Sequence, residues 1–275
     1  MTNWLITGVS GGLGREIARA AFERGDNVAG TVRQAADKVT FESLAPGRAH
    51  GVLLDLARPE DASPAVAAAA EAVGTIEVLV NNAGYGLVGA VEEASLEELR
   101  RQFEVNVFSA LGMIQAVLPA MRARRVGRIV NVTSVSGLAV WAGTGVYCAS
   151  KHALEAIGET LAEEVAPLGI AVINVAPGGM RTDYAGRSLV RSAARIGDYD
   201  QGPAHQAEAI LADHAGAEGG DPAKVARAIL AAVDSPAPPK RLLLGADAIH
   251  YAEQHIAGLQ ADIAQWRDVS LSTGY

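Results

Sequence analysis

The sequence predicts an α/β protein built on a doubly wound parallel sheet of about seven strands, with helices on both faces. Short runs rich in β-branched residues alternate with longer segments of helical periodicity along most of the 275 residues. Most of the short runs are continuously apolar, as expected for parallel strands that are buried on both faces. No change in composition interrupts the alternation, so residues 1–275 are expected to form a single domain.

Seven strands are predicted where the short apolar runs occur, at residues 3–7, 27–32, 51–55, 76–80, 128–133, 170–175 and 241–244. Five helices are predicted from apolar residues at helical spacing, at residues 13–24, 60–73, 96–121, 147–166 and 222–234. Gly25 is expected to end the first helix, and Ser95 to cap the third ahead of two glutamates. Right-handed crossovers between successive strands then distribute the helices over both faces of the sheet.

Two segments depart from this alternation. Residues 184–221 form a long stretch with scattered Gly, Ser and Arg, and they are expected to form a substrate lid with one short helix near 205–214. Residues 246–267 are expected to form a C-terminal helix with one apolar face, which packs on this domain or on a second subunit. The residues of that face are Ile249, Ile256, Leu259, Ile263 and Trp266.

Charge and cysteine content limit the partners and the compartment. The formal net charge is −8 and the pI is near 5.3, which argues against nucleic acid or an anionic membrane as a partner. The N-terminus lacks a signal-peptide pattern, and no run of about 18 apolar residues is present to span a bilayer. Cys148 is the only cysteine, so no disulfide forms within the chain and a reducing, cytoplasmic location is expected.

A glycine-rich turn follows the first strand, Thr-Gly-Val-Ser-Gly-Gly-Leu-Gly at residues 7–14. It fits Gly-x-Ser-x-Gly, the elbow that presents a nucleophilic serine, which here is Ser10. It also fits a turn whose backbone N–H groups approach a pyrophosphate at a helix N-terminus. A hydrolase elbow follows several earlier strands, whereas only one strand precedes Ser10. Because a glycine turn alone is a weak signal, residues further along the chain decide between the two interpretations.

Four further motifs follow the later strands in order. They are Asn81-Asn82-Ala83-Gly84, Ser134, Tyr147-x-x-x-Lys151 and Pro177-Gly178. Together with the glycine turn, they resemble the short-chain dehydrogenase/reductase family in residue type, order and rough spacing, over most of the chain from about residue 3 to residue 233. The resemblance implies a Rossmann-like fold and an enzyme that uses a nicotinamide dinucleotide to interconvert a carbonyl and an alcohol.

The spacing of Tyr147 and Lys151 suits proton transfer. Residues four apart on a helix lie on the same face. A phenol has a pKa of about 10 and is a poor base near neutral pH, but a neighbouring ammonium stabilises the phenolate and lowers that pKa. Tyr147 is therefore the predicted general acid and base. Ser134 follows the adjacent strand at the carboxyl edge of the sheet, where its hydroxyl is expected to bind the substrate oxygen.

The resemblance adds two roles and leaves alternatives open. It implies that Asn106 holds a water in a proton relay with Lys151, and that Lys151 also binds the nicotinamide ribose. Each residue has a purely structural alternative: Ser134 as a turn cap, Tyr147 as a core residue, Lys151 as a solvated charge and Asn106 as the partner of a neighbouring carbonyl. If all four residues were purely structural, their match to the order of the family's motifs would be a coincidence. That is the weaker interpretation.

The residues at the end of the second strand predict NADP(H) as the cofactor in preference to NAD(H). NAD enzymes usually carry an acid there, but Val32 occupies the position, and Arg33 follows it and can pair with a 2′-phosphate. The alternative is that Arg33 is a solvated charge. No metal site is predicted. The predicted cofactor-binding residues are Gly8, Ser10, Gly12, Leu13, Gly14, Arg33, Asp55, Leu56, Asn82, Ala83, Gly84, Tyr147, Lys151, Pro177, Gly178 and Thr182.

The substrate is expected to be a small carbonyl or alcohol in a partly apolar pocket. Its predicted lining residues are Leu138, Trp141 and Tyr184. Arginines in the predicted lid either attract an anionic group or decorate its surface, and decoration is favoured; they are Arg187, Arg191 and Arg195. The resemblance implies a homodimer or homotetramer packed through the third and fourth predicted helices. The alternative function is a nicotinamide-dinucleotide-binding sensor or scaffold without turnover.

Overall fold

The computed structural model describes residues 1–182, 188–206, 209 and 218–274. The first half of the chain contains β1 (Asn3–Ile6), α1 (Gly12–Glu23), β2 (Asn27–Val32), α2 (Ala35–Glu42), β3 (Ala49–Leu53), α3 (Ala62–Val73), β4 (Val78–Asn81), β5 (Gly86–Val88), α4 (Leu96–Phe103) and α5 (Ser109–Arg124). The second half contains β6 (Gly127–Val132), α6 (Gly145–Val165), β7 (Ile170–Pro177), β8 (Leu189–Arg191), α7 (Pro222–Asp234), β9 (Arg241–Leu244) and α8 (Ala246–Leu271).

Seven of these strands form one parallel sheet in the order β3-β2-β1-β4-β6-β7-β9. The predicted α/β class and doubly wound sheet are therefore confirmed, with strand ends shifted by at most two residues. The strand order reverses at β1, which pairs with β2 on one side and β4 on the other. In such sheets a crevice opens at this point, outside the carboxyl ends of the strands, and ligands bind there.

Helices cover both faces of the sheet and divide the core into two layers. On one face, Ile17 of α1 and Ile229 of α7 pack against Val28 and Ile173 of the sheet. On the other face, residues of α3, α5 and α6 pack against the opposite sides of the same strands, with Leu79 at the centre. Burial of these apolar side chains on both sheet faces explains why the strands read as continuous apolar runs.

The third predicted helix, 96–121, is divided in the structure. Ser95 forms the predicted N-cap as a full capping box with Glu98, and α4 follows. A π-helical segment, Glu104–Phe108, then separates α4 from α5. Such wide turns within helices occur often at functional sites, and Asn106 lies in this one.

Some elements were not predicted from the sequence. α2 buries only Phe41, so its apolar face is too narrow to give a periodic signal. β5 and β8 have three residues each and form a separate two-stranded parallel sheet, which pairs Gly86 with Leu189. α8 extends to Leu271, beyond the predicted end at residue 267. Part of the predicted lid, residues 184–187, 207–208 and 210–217, lies outside the described residues.

The helical stretch Leu96–Arg124 is long and apolar enough to cross a bilayer, judged by length and composition only. The expectation that no such stretch is present is therefore wrong by this measure. The stretch also meets the description of a core helix, because Met113, Ile114 and Val117 of α5 pack in the core. A core helix passes the same test of length and composition, so the finding is weak evidence for a membrane segment.

Candidate active site

The turn between β1 and α1 brings the backbone into close approach with its neighbours. Gly8 has a φ of +74°, and a Cβ there would lie 2.9 Å from the Cβ of Ala83. A Cβ at Gly14 would overlap the carbonyl oxygen of Gly8, so α1 begins directly against the end of β1. Gly12 has a φ of +54°, which glycine adopts without strain. The N-cap residue is Gly11, which has no side chain, so the first N–H groups of α1 are left for a ligand.

Ser10 lies on this turn without the partners of a catalytic nucleophile. Its backbone carbonyl accepts a hydrogen bond from the guanidinium of Arg15. Within the described ranges, no histidine hydrogen-bonds its hydroxyl; His152 bonds the carbonyl of Cys148 and His205 bonds carboxylates. The hydrolase alternative therefore has no general base in this part of the chain.

Thr7 links β1 to the loop after β4. Its hydroxyl oxygen accepts hydrogen bonds from the N–H groups of Asn82 (2.9 Å) and Ala83 (3.0 Å). The side-chain amide of Asn82 donates in turn to the carbonyl of Thr7 (2.9 Å). These bonds hold two predicted cofactor-binding residues beside the glycine turn. Thr7 was not among the predicted site residues, although it is the first residue of the glycine signature.

Asn106 fastens the loop after β4 to the helices behind it. It is 1% exposed; its Oδ1 accepts from the N–H of Tyr85 (3.0 Å), and its Nδ2 donates to the carbonyl of Tyr85 (2.9 Å) and the hydroxyl of Ser150 (3.1 Å). Buried Gln102 donates to the same carbonyl (2.8 Å). The side chain of Asn106 thus bonds a neighbouring carbonyl, as the structural alternative holds, and its relay water stays a prediction.

Lys151 and Tyr147 lie on one face of α6 at the carboxyl edge of β6. The ammonium of Lys151 donates to the carbonyl of Val132, the last residue of β6 (2.9 Å), and lies 5.9 Å from the centre of the Tyr147 ring. A Cβ on Gly84 would lie 3.6 Å from this ammonium and 3.0 Å from Oδ1 of Asn106, so both groups border one small space. Lys151 is 5% exposed, which rules out the alternative of a solvated charge.

Ser134 lies two residues beyond the end of β6 and caps a short turn, Val135–Gly137. Its hydroxyl oxygen accepts a hydrogen bond from the N–H of Ser136 (3.0 Å). The structural alternative for Ser134, a turn cap, is therefore correct. It is compatible with the functional one, because a hydroxyl that accepts from a backbone N–H retains its own hydrogen to donate.

The charge on Lys151 depends on a second titratable residue, Glu155, one turn further along α6. Burial lowers the pKa of Lys151 to about 8, and the negative charge of Glu155 opposes that shift. Glu155 is 4% exposed, and its carboxylate accepts a hydrogen bond from Arg241 of β9 (2.8 Å). Arg241 also pairs with Glu159. The sequence analysis missed Glu155; its spacing of four from Lys151 was the available signal.

A ladder of buried asparagines fixes α6 relative to the strands. Asn81 donates to Asn131 (3.0 Å), Asn131 donates to Asn174 (3.1 Å), and Asn174 donates to the carbonyl of Glu155 (2.8 Å). The three asparagines are neighbours in register on β4, β6 and β7. Paired amides are stable in a core where unpaired ones are costly. The ladder thus supports the relative positions of Ser134, which follows β6, and the Tyr147–Lys151 face of α6.

The far end of the crevice carries the residues predicted to bind the adenosine part of a dinucleotide. β2 ends at buried Val32, and the side chain of Arg33 is exposed beyond it. Asp55 is exposed after β3, and its carboxylate accepts from the N–H of Ala57 (3.0 Å). Leu56 is partly buried against the core.

The segment after β7 is held by the C-terminal helix. Gly178 donates to the carbonyl of Leu244 (3.0 Å), and Gly179 donates to the carboxylate of Asp247 in the first turn of α8 (2.7 Å). The Cβ of Thr182 lies 3.7 Å from where a Cβ on Gly12 would be, so this segment returns to the glycine turn. Asp247 was not predicted, because 68 residues separate it from its partner.

The predicted substrate residues fall into two groups. Leu138 and Trp141 are partly buried in the loop after β6, where the Trp141 ring packs edge-on against Tyr251 of α8, with ring centroids 5.2 Å apart. Tyr184 and Arg187 lie outside the described residues.

The described part of the predicted lid is anchored by one buried carboxylate. Glu93 accepts hydrogen bonds from the N–H of Ile196 (2.7 Å), from His205 (2.9 Å) and from the N–H of Ala90 (2.8 Å). These bonds, that of Ile196 above all, hold the pKa of Glu93 at about 2. His205 also bonds Asp200 (3.2 Å). Because Ile196 and His205 belong to residues 188–206, Glu93 fastens that segment to the loop after β5.

Comparisons with known proteins agree with the fold. The profile of the family described as short chain dehydrogenase matches residues 2–190. The chain is 34% identical over 271 residues to oxidoreductase BOA17 of Botryotinia fuckeliana, which covers 98% of both chains. It is 33% identical over 190 residues to an NADPH-dependent 3-dehydrocapnine reductase of Ornithobacterium rhinotracheale, which covers 67% of both. The crystal structure of a short-chain dehydrogenase from Streptomyces avermitilis matches with a TM-score of 0.92, 38% identity and full coverage of both chains.

Proposed function

The chain belongs to the short-chain dehydrogenase family, and from that premise we propose that it interconverts a carbonyl and an alcohol with NADP(H), with Tyr147 as general acid and base. The family resemblance read from the motifs is confirmed, and the chain is an oxidoreductase. The observation that carries the proposed mechanism is the burial of the Lys151 ammonium beside the Tyr147 ring, at the edge of the sheet where Ser134 lies.

The residues at the crevice fit a nicotinamide dinucleotide. The N-cap Gly11 leaves backbone N–H groups at the start of α1 open for a pyrophosphate, and the close approaches at Gly8 and Gly14 hold that helix N-terminus against the end of β1. Gly84 leaves a gap in front of Asn106 and Lys151. Thr182 lies near Gly12, where it can bond the carboxamide at the other end of the cofactor. When bound, the dinucleotide supplies or accepts the hydride.

The protein side of the reaction is a proton transfer. The hydroxyl of Ser134 donates to the substrate oxygen and orients it, while its own oxygen is held by Ser136. Tyr147 gives its phenolic proton to the carbonyl oxygen during reduction, or takes one from the alcohol during oxidation. The ammonium of Lys151 stabilises the phenolate that forms, because opposite charges a few ångströms apart in a buried site attract strongly. After reduction, Lys151 returns a proton to the phenolate of Tyr147 and takes a replacement from the predicted water at Asn106. During oxidation the proton moves in the opposite direction.

A preference for NADP(H) is proposed from the end of β2. Val32 is buried there, so no carboxylate at that position repels a 2′-phosphate. The exposed guanidinium of Arg33 follows directly and can pair with the phosphate in a bidentate manner. The relative from Ornithobacterium rhinotracheale is an NADPH-dependent reductase by name, which supports the same choice for this chain.

The test is a panel of ketones and aldehydes, followed by the loss of NADPH absorbance. We expect at least one carbonyl to be reduced by the wild-type protein. Tyr147→Phe should lower kcat by about 10²- to 10⁴-fold, the usual contribution of a general acid, while NADPH binding followed by fluorescence is unchanged. Ser10→Ala is the matched control, and it should retain most of the activity. Activity in Tyr147→Phe equal to that of the wild type would contradict the mechanism. Tight NADPH binding without turnover of any carbonyl or alcohol would favour a sensor or scaffold.

A further inference from the structure

The C-terminal helix α8 projects from the body of the protein. Its first turns are anchored, since Ala248 and Ala252 are buried and Asp247 and Tyr251 contact the active-site loops. Every residue from 253 to 271 is exposed. At 1.5 Å per residue, this projecting half of α8, residues 253–271, is about 28 Å long. Most of the stability of helices in proteins comes from packing of an apolar face, so a partner for its apolar residues would stabilise this half.

The apolar residues of the projecting half follow the pattern of a helix–helix seam. They are Ile256, Leu259, Ile263 and Trp266, at spacings of three and four, and each is between 54% and 58% exposed. Ile249 and Ala252 continue the same spacing back to the body of the protein. This alternation of three and four is the spacing of the a and d positions in a coiled coil. The apolar stripe that it forms is narrower than the apolar face of a helix that packs on a globular core.

The charges beside the seam fit a second copy of the same helix. Arg267 flanks the seam near its end, and acids flank it at Glu253 and Asp262. If two copies run parallel, Asp262 of one faces Arg267 of the other, as g and e positions do in coiled coils. If they run antiparallel, Glu253 faces Arg267, and Ile256 and Leu259 meet the partner's Trp266 and Ile263. Arg267 thus has an acidic partner in either direction.

A membrane surface fits this helix less well. Helices that lie on anionic bilayers carry several Lys or Arg on the polar face. The projecting half carries three acids and one arginine, and the whole chain has a formal net charge of −8. A bilayer with anionic lipid would therefore repel it.

We propose that the projecting half of α8 is a self-association surface, on which a second copy of this chain docks through a two-helix seam. The surface is separate from the third and fourth predicted helices, through which the family resemblance implies subunit contact. It does not depend on the proposed reaction. Because the root of α8 bonds Gly179 and contacts Trp141, the seam would also steady the helix that supports the active-site loops.

The experiment measures the mass of the full-length protein by light scattering and sedimentation over a range of concentrations. Ile263→Asp places a charge in the seam, and Ala261→Asp places the same charge on the opposite side of the helix as a matched control. We expect Ile263→Asp to weaken one association step by at least about tenfold in dissociation constant, because an unpaired charge is costly in an apolar seam. Ala261→Asp should assemble like the wild type. The fluorescence of Trp266 should shift to shorter wavelength on association of the wild type, but not of Ile263→Asp.

Three results would overturn the proposal. The first is an equal mass for wild type and Ile263→Asp at every concentration. The second is an equal loss of association in Ile263→Asp and Ala261→Asp, which would show that the seam has no special role. The third is binding of the wild type, but not of Ile263→Asp, to vesicles of phosphatidylcholine and phosphatidylglycerol without any association between copies. A cysteine at Leu259→Cys gives an independent check of the arrangement, since native Cys148 is buried; rapid disulfide formation between copies supports a parallel seam.

Discussion

The ammonium of Lys151 lies 5.9 Å from the centre of the Tyr147 ring, one helical turn further along α6. The same nitrogen is buried and donates to the end of β6, so a charge that usually faces water is held against a phenol inside the protein. Burial of a cation is costly unless it is paired. The carbonyl of Val132 and the nearby carboxylate of Glu155 provide that compensation. A buried lysine with a shifted pKa in a crevice is the kind of group that active sites use.

Removal of Glu155 should move the alkaline limit of the reaction. Carbonyl reduction needs Lys151 protonated, so we expect kcat/KM to fall above pH 8, the approximate pKa of that ammonium. The charge of Glu155 favours the protonated form, so Glu155→Gln should shift this limit to lower pH. Glu159→Gln is the control, because Glu159 is partly exposed and forms an ion pair with Arg241. An unchanged or raised alkaline limit in Glu155→Gln would contradict the coupling.

Replacement of Arg33 should remove the preference for NADPH. Arg33→Ala loses the guanidinium proposed to pair with the 2′-phosphate, and we expect apparent affinity for NADPH to fall by about tenfold. Affinity for NADH, which lacks that phosphate, should stay the same. Arg19→Ala, which removes an exposed arginine of α1 that pairs with Glu16, should change neither affinity. Tighter binding of NADH than of NADPH by the wild type would contradict the proposed preference for NADP(H).

Asn106 should be needed for both stability and activity. Asn106→Ala leaves the backbone N–H of Tyr85 without its acceptor, and a buried group left unpaired costs about 1–3 kcal/mol. We expect that loss in chemical unfolding, together with a fall in kcat of at least about tenfold, because misplacement of groups at a site by about 1 Å can cost about 10²-fold in rate. Ser150→Ala removes the Asn106–Ser150 bond but not the clamp on Tyr85. If Ser150→Ala lost as much activity as Asn106→Ala, the bonds between Asn106 and the backbone of Tyr85 would not explain the loss of activity.

Asp247 should support cofactor binding from outside the sheet. Asp247→Ala leaves the N–H of Gly179 without its acceptor, so the segment after β7 should loosen. We expect KM for NADPH to rise by about three- to tenfold, as a lost hydrogen bond of about 1 kcal/mol implies, while kcat changes little. Asp268→Ala, near the exposed end of α8, is the control. An unaltered KM for NADPH in Asp247→Ala would show that the bond is not needed.

Replacement of Glu93 should weaken binding of the carbonyl substrate without changing the binding of NADPH. Glu93→Ala removes the acceptor of Ile196 and His205 and so loosens residues 196–205 against the loop after β5, while the pairing of β5 with β8 remains. We expect KM for the carbonyl substrate to rise several-fold, with KM for NADPH unchanged. Glu92→Ala removes an exposed bond to the hydroxyl of Tyr199 and serves as the control. Equal effects on both KM values would mean that Glu93 stabilises the whole fold and not this segment.

The sequence alone determined the main sheet and the order of its motifs. The continuous apolar runs of β1, β4, β6 and β7 and the helical patterns between them are local signals, and burial on both faces makes them strong. The four-residue spacing of Tyr147 and Lys151 is also local, because the pitch of a helix is known in advance. Short elements were missed: α2 buries a single large side chain, and β5 pairs with a strand about 100 residues away.

Only the tertiary structure decided how those residues work together. Three hydrogen bonds at the site join residues that are 19 to 68 positions apart in the sequence. They are the bonds of Lys151 with Val132, of Asn106 with Tyr85 and of Asp247 with Gly179. Pairs so distant leave no periodic trace in a sequence, because each depends on how strands and helices pack. The direction of α8 is likewise tertiary. Its apolar face is predicted from the sequence, but only the tertiary structure shows that the helix leaves the body and exposes that face to solvent.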